Sequence, residues 1–167
     1  MYVAQIRHFD VANGPGIRAS LFVSGCTHDC HGCFNRQYKE FTYGTPWSKE
    51  LESDFIQHIK NPNIKGVTLL GGEPMDQVQD DDLLKLLLRI KLETGKNIWL
   101  YSGYTWEEIL RDQKKTALLT HVDVLVDGRF VESLKNLNLR FRGSENQRIL
   151  NVKASLEMGK PVLQDGF

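Results

Sequence analysis

Three cysteines stand within eight residues, as Cys26-Thr-His-Asp-Cys30-His-Gly-Cys33, and the 167-residue chain has no others. Thiolates at this spacing can ligate three irons of a cubane cluster and leave the fourth without a protein thiolate. An iron with an open position can take a substrate, as an open catalytic zinc does. Two other readings stand beside this one. Zinc could take the three cysteines together with His8, His28 or His31 as a Cys₃His site, or the three could be ordinary reduced thiols. A disulfide framework would want an even number of cysteines spread along the chain. Clustered thiols in a reducing compartment point instead to metal binding or catalysis.

A further group with chemical potential is Gly71-Gly72-Glu73-Pro74. Paired glycines let backbone approach a ligand closely, and the Glu73 carboxylate can accept hydrogen bonds from an ammonium group. An amino acid that chelates iron through its amine and carboxylate would need both services. A tight turn between a strand and a helix would use the same residues.

The elements around these groups alternate. Ile17 to Val23, Gly66 to Leu70, Asn97 to Tyr101 and Val122 to Val126 read as buried strands, and Arg148 to Val152 as a last one. Ser48 is placed to cap a helix whose apolar positions Leu51, Phe55, Ile56 and Ile59 fall at helical spacing. Asp80 to Asp82 put negative charge at the start of a Leu-rich helix, which Gly95 should stop. Thr105 and Glu108 form a capping box for a helix to about Asp112, and a weaker helix is expected around Val131 to Lys135. The polar stretch from Leu137 to Gln147 fits no regular element.

Alternating strands and helices predict an α/β fold with a parallel sheet. All strands are then expected to run in one sense. The loops that follow them, Ser24-Gly25-Cys26, Gly71-Gly72-Glu73, Ser102-Gly103-Tyr104 and Asp127-Gly128-Arg129, should meet at the carboxyl edge, where α/β folds place ligands. An eight-unit barrel takes roughly 250 residues. This chain has room for an open partial (β/α) barrel of five or six strands, as a single domain over 1–167.

Composition narrows the partners. Lys plus Arg number 21 and Asp plus Glu number 21, which gives no electrostatic case for nucleic acid or an anionic membrane. The longest apolar stretch, Leu83 to Leu92, is broken by Lys85, Arg89 and Lys91 and cannot span a bilayer. The N-terminus lacks the apolar core of a signal peptide, so a cytoplasmic location is expected.

The joint pattern resembles a known family. CxxxCxxC following one strand, with Gly-Gly-Glu following the next, resembles the radical S-adenosylmethionine (SAM) enzymes. Asn13-Gly14-Pro15-Gly16-Ile17-Arg18 resembles the glycyl-radical activating enzymes. Four further stretches narrow the match: Val23 to Cys26 with His28, Gly32 to Asn35, Val124 to Phe130, and Arg142 to Gln147. Together they resemble the activating proteins of anaerobic (class III) ribonucleoside-triphosphate reductases. The resemblance covers about Asn13 to Gln147. One departure is Gly32, which stands where the wider superfamily has an aromatic residue before the third cysteine; here Phe34 follows it instead.

The resemblance implies a radical-SAM fold with a [4Fe–4S] cluster on Cys26, Cys30 and Cys33. S-adenosylmethionine would be the cosubstrate, bound through its amine and carboxylate at the fourth iron. Gly71, Gly72 and Glu73 would fix the methionyl part, and Gly32 and Phe34 would flank the nucleoside. Ser102, Tyr104 and Asp127 are candidates for ribose or adenine contacts by their place at the convergent edge. Arg18 and Arg129 could hold a carboxylate or the partner's tail. A reduced flavodoxin-like donor would supply one electron. The 5′-deoxyadenosyl radical would then take a hydrogen atom from a glycine of the large reductase subunit. Three alternatives remain: an activator of another glycyl-radical enzyme such as pyruvate formate-lyase, a small-molecule enzyme of the deazaguanine-forming type, and a zinc-stabilised binding module.

Overall fold

A computed structural model describes residues 1–167. Four strands carry the fold: β2 (Arg18–Val23), β4 (Gly66–Gly71), β5 (Asn97–Tyr101) and β6 (Val124–Asp127). They pair in parallel in that order. Each is apolar and buried almost throughout, the pattern of strands covered on both faces.

Two strands that run the other way, β1 (Tyr2–Asp10) and β7 (Arg148–Asn151), correct the expectation of a single sense. β1 pairs antiparallel with β2, β3 (Thr45–Pro46) with β1, and β7 with β6. The sheet therefore has seven strands in the order β3-β1-β2-β4-β5-β6-β7. β1 joins β2 through a short irregular turn, which allows only an antiparallel return. Flanking the parallel core with such strands leaves its carboxyl edge intact, so the four expected loops still emerge together.

Alternate strand residues face opposite sides. Leu21, Val67, Leu69, Ile98, Leu100 and Leu125 join one core with the helices. Those helices are α1 (Lys49–Ile59), α2 (Asp82–Thr94), α3 (Trp106–Ile109) and α4 (Gln113–Leu119); α5 (Val152–Met158) follows β7. The expected signals operate at their ends. Ser48 accepts from the Leu51 N–H, Gly95 closes α2 at φ 61°, and Thr105 with Glu108 completes the capping box of α3. Only a short 3₁₀ turn forms at Glu132–Leu134, and 137–147 remains irregular.

The opposite face of the sheet carries a smaller core around Trp99, Val124, Val126 and Ile149, with Phe141 packed on it. Arg18 also lies on this side and is 2% exposed. Its Nε donates to Thr68 Oγ1 at 2.7 Å, and Nη2 donates to the carbonyls of Val67 at 2.6 Å and Asn97 at 3.2 Å. Burial pushes this guanidinium down to about 10. Arg18 thus ties together the amino ends of three strands, at the end of the sheet away from the cysteines.

The edge pair of strands is locked by charge. Arg148 and Asp127 are register partners across β6 and β7. Arg148 Nε donates to Asp127 Oδ1 at 2.9 Å, and its Nη2 to Glu107 Oε2 at 2.8 Å. Asp127 is 1% exposed and accepts otherwise only from the Trp106 N–H, at 2.7 Å. Removing the arginine strands a buried charge, so Arg148→Met is expected to destabilise the fold by roughly 3 kcal/mol in urea or thermal unfolding. A loss under about 1 kcal/mol would contradict this reading of the pair.

Candidate active site at the carboxyl edge

The cysteine loop leaves β2 and doubles back on itself. Gly25 N–H donates to the Tyr38 carbonyl at 2.8 Å, and Cys26 N–H to that of Lys39 at 3.2 Å. Gly25 has φ +101°, and a Cβ there would lie 2.3 Å from the Phe41 ring. The tight exit therefore demands glycine. Cys26, Cys30 and Cys33 are free and partly exposed.

The glycine loop after β4 is zipped to this loop through backbone. Gly72 N–H donates to Val23 O, and Glu73 N–H to Gly25 O, both at 2.8 Å. The side-chain position of Gly72 points at protein: a Cβ would stand 2.5 Å from Gly25 O and 2.8 Å from Tyr38 O. At Gly71, with φ +111°, a Cβ would meet Val23 O at 2.8 Å. The glycines are thus required first by the approach of two loops, and their exposed backbone lines the cavity as a consequence.

Glu73 is 1% exposed. Its Oε1 accepts from Met75 N–H at 2.9 Å and from Ser102 Oγ at 2.8 Å. Its Oε2 accepts from Gly103 N–H at 2.7 Å. His28 Nε2 lies 3.1 Å from the same oxygen, but poorly aligned, and no partner meets hydrogen-bond geometry with it. A carboxylate offers about four acceptor positions, so Glu73 is nearly saturated by the protein. An incoming ammonium group would share it with these donors.

These groups enclose a cavity of about 240 Å³, lined by the three cysteines, Gly71 to Glu73, Ser102, Gly103 and Gly128, with Phe34 and Phe130 among its aromatic walls. Phe34 is 74% exposed and packs on Phe130 with ring centroids 5.5 Å apart. Gly32 lies outside the lining and faces the Glu132 carboxyl. Tyr104 also lies outside the lining; its hydroxyl donates to Asp76 at 2.8 Å. Asp127 is held in the edge ion pair, and Arg129 is exposed beside a separate, polar hollow. The cavity thus gathers the thiols, the glycine loop, Phe34 and Ser102, and leaves out Gly32, Tyr104 and Asp127.

The donor set fits an iron–sulfur cluster. Three thiols border one cavity, at the spacing of a cubane's protein ligands. The histidines that could complete a Cys₃His zinc site are turned to other partners: His28 to Glu73, and His31, 92% exposed, to Glu132. His8 packs against His58. Burial pushes the Cys26 thiol up to about 12, with Glu73, Asp76 and Cys30 adding to the rise. Burial pushes Cys30 up as well, followed by the effect of Cys33. Iron binds the thiolate form, so loading the site releases protons.

Comparison with known proteins agrees with this donor set. Residues 12–150 match the family model described as a 4Fe-4S single cluster domain. Among its relatives, the anaerobic ribonucleoside-triphosphate reductase-activating protein of Escherichia coli (strain K12) is 41% identical over 147 residues, covering 86% of this chain and 94% of that one. The protein of the same name from Vibrio cholerae is 43% identical over 143 residues, 84% and 91% of the two chains. That from Enterobacteria phage T4 is 36% identical over 141 residues, 84% and 87%. The chain belongs to the family of anaerobic ribonucleoside-triphosphate reductase-activating proteins.

Two glycine variants test how the site is built. Gly72→Ala forces its methyl into the Gly25 and Tyr38 carbonyls. It is therefore expected to lower iron and acid-labile sulfide per monomer after anaerobic reconstitution. Gly95→Ala, where a Cβ meets nothing within 4 Å, should cost about 1 kcal/mol for its left-handed backbone and keep full iron. Wild-type iron in Gly72→Ala would mean that the two loops are not held in register by this contact.

Proposed function

We propose that this chain is the radical-SAM activating enzyme of an anaerobic ribonucleoside-triphosphate reductase, and that it installs a glycyl radical on that protein. One observation carries the reading. The three thiols and the Gly-Gly-Glu loop share one cavity in a chain 41% identical to a reductase-activating protein across 94% of that protein's length. A [4Fe–4S] cluster, when bound, supplies the electron that cleaves S-adenosylmethionine to methionine and a 5′-deoxyadenosyl radical, which takes hydrogen from a glycine Cα.

The chain's own residues position and shield. Cys26, Cys30 and Cys33, which border the cavity, would hold the cluster. Gly71, Gly72 and Glu73 present backbone and a shared carboxylate to the methionyl part. Phe34 and Ser102 line the same space, and their proposed role is to contact the nucleoside. Tyr104 and Asp127 act from behind, by fixing the loops that carry the lining. Gly32 keeps the turn before Cys33 open, at φ +74°.

The packing of α1 to α4 on one core of the sheet supports an open partial barrel of radical-SAM type, formed by 1–167 as one domain. The open side offers a path for the partner's glycine loop. Docking would then require that loop to leave its own fold. A flavodoxin-like protein is the proposed electron donor. No helix is long and apolar enough to cross a membrane, and the proposed location is the cytoplasm.

The test mixes the reduced activator, S-adenosylmethionine and the reductase without oxygen, and records the electron paramagnetic resonance spectrum. The expected signal is a doublet whose splitting collapses when the reductase carries α-deuterated glycine. Cys26→Ala, Cys30→Ala and Cys33→Ala should each abolish both the cubane and this signal, while His31→Ala retains iron. A reductase that stays radical-free while a small metabolite loses hydrogen would overturn the assignment.

A further inference from the structure

Asp76 has no part in the roles above, yet it is 7% exposed and lies directly behind the cysteine loop. It sits in the 3₁₀ turn Pro74–Asp76 that follows the glycine loop. Its Oδ2 accepts from both the backbone N–H and the hydroxyl of Thr27, each at 2.8 Å. Its Oδ1 accepts from the Tyr104 hydroxyl at 2.8 Å. The one cation near it is Lys115, whose Nζ is 3.7 Å from Oδ1 and 3.6 Å from the centre of the Tyr104 ring. The Lys115 side chain is only 13% exposed. Three loops and one helix therefore meet on a single carboxylate, whose partner Thr27 is next in the chain to a cluster cysteine.

We propose that Asp76 is a positioning residue with two effects: it holds the backbone beside Cys26, and its charge, partly offset by Lys115, makes the cluster harder to reduce. The proposal rests on the cluster reading of the site. Its geometry is specific to a carboxylate. One oxygen grips main chain and side chain of the same residue, which fixes the exit of the loop after Cys26. The other oxygen ties that grip to the loop after β5. Reduction adds one negative charge to the cluster, and a buried anion nearby opposes it because interior charges are weakly screened. Lys115 acts in the other direction, so Asp76 and Lys115 form a pair of opposed controls on one equilibrium.

The charge can be removed without dismantling the network. In Asp76→Asn the amide oxygen can still accept from Thr27, and the amide nitrogen can donate to the Tyr104 oxygen. Lys115→Met keeps the apolar stem over the Tyr104 ring and removes the cation. The experiment reconstitutes wild type and both variants anaerobically, measures iron and acid-labile sulfide, and titrates the cluster potentiometrically with electron paramagnetic resonance as the readout. Asp76→Asn should keep its cluster and be easier to reduce, with the reduction equilibrium moved by roughly threefold or more. Lys115→Met should be harder to reduce. A third variant, Asp76→Ala, removes the grip on Thr27 and should release iron to a chelator several-fold faster than Asp76→Asn.

A merely structural role would change unfolding without moving the potential in opposite directions. Unchanged midpoints in loaded Asp76→Asn and Lys115→Met, or shifts of the same sign, would overturn the inference and leave the proposed function standing. If Asp76→Asn does not load, Lys115→Met alone decides the charge effect by the sign of its shift. A wild-type protein that takes up no iron and sulfide would overturn both.

Discussion

The carboxyl edge of the sheet is organised around a buried carboxylate. Taking a carboxylate out of water costs several kcal/mol unless its lone pairs are met, and Glu73 has no lysine or arginine to meet them. It is instead met by donors from two separate stretches, Met75 on its own turn and Ser102 and Gly103 after β5, while its own N–H is tied to the Gly25 carbonyl of the loop after β2. Because the charge is stable only when those donors converge, Glu73 forces the loops after β2, β4 and β5 into one arrangement. The position of the thiols is a consequence of that requirement. Asp76 repeats the device one turn later, with Thr27, Tyr104 and Lys115 as its partners.

The glycines complete the constraint by sterics. Gly25, Gly71 and Gly72 each occupy a place where a Cβ would collide with backbone or with the Phe41 ring. Close approach of two loop backbones leaves their polar groups turned toward the cavity and its contents. The same spacing therefore satisfies the fold and presents a surface on which an amino-acid ligand can be bound by main chain. A larger residue at these points would separate the loops and remove both properties together.

The central strands are legible in the sequence because they are short, continuously apolar runs bounded by turn residues, and the caps at Ser48, Thr105 and Gly95 are local chemistry that requires no tertiary information. β1 is not legible. Tyr2–Asp10 alternates poorly and includes Arg7 and His8, and its pairing with β2 is what makes it a strand. α4 is hidden because its first turn, Gln113-Lys114-Lys115, is polar and its Asp112 cap reads equally well as the end of α3. At the site, the thiols and the glycine loop stand out by spacing. The saturation of Glu73 cannot be read, because Ser102 and Gly103 lie 29 and 30 residues away in sequence and only the sheet brings them together. For the same reason Asp127 reads as a candidate for ligand contact, although its oxygens belong to Arg148 and the start of α3.

We propose that Cys26, Cys30 and Cys33, fixed by this clamp, hold a cluster that binds the amino acid part of S-adenosylmethionine. Electron–nuclear double resonance on the reduced, reconstituted protein tests it directly, using S-adenosylmethionine labelled with nitrogen-15 at its amino group. The account expects a nitrogen-15 coupling to the cluster that disappears with unlabelled cosubstrate. Saturated binding with no such coupling would contradict it.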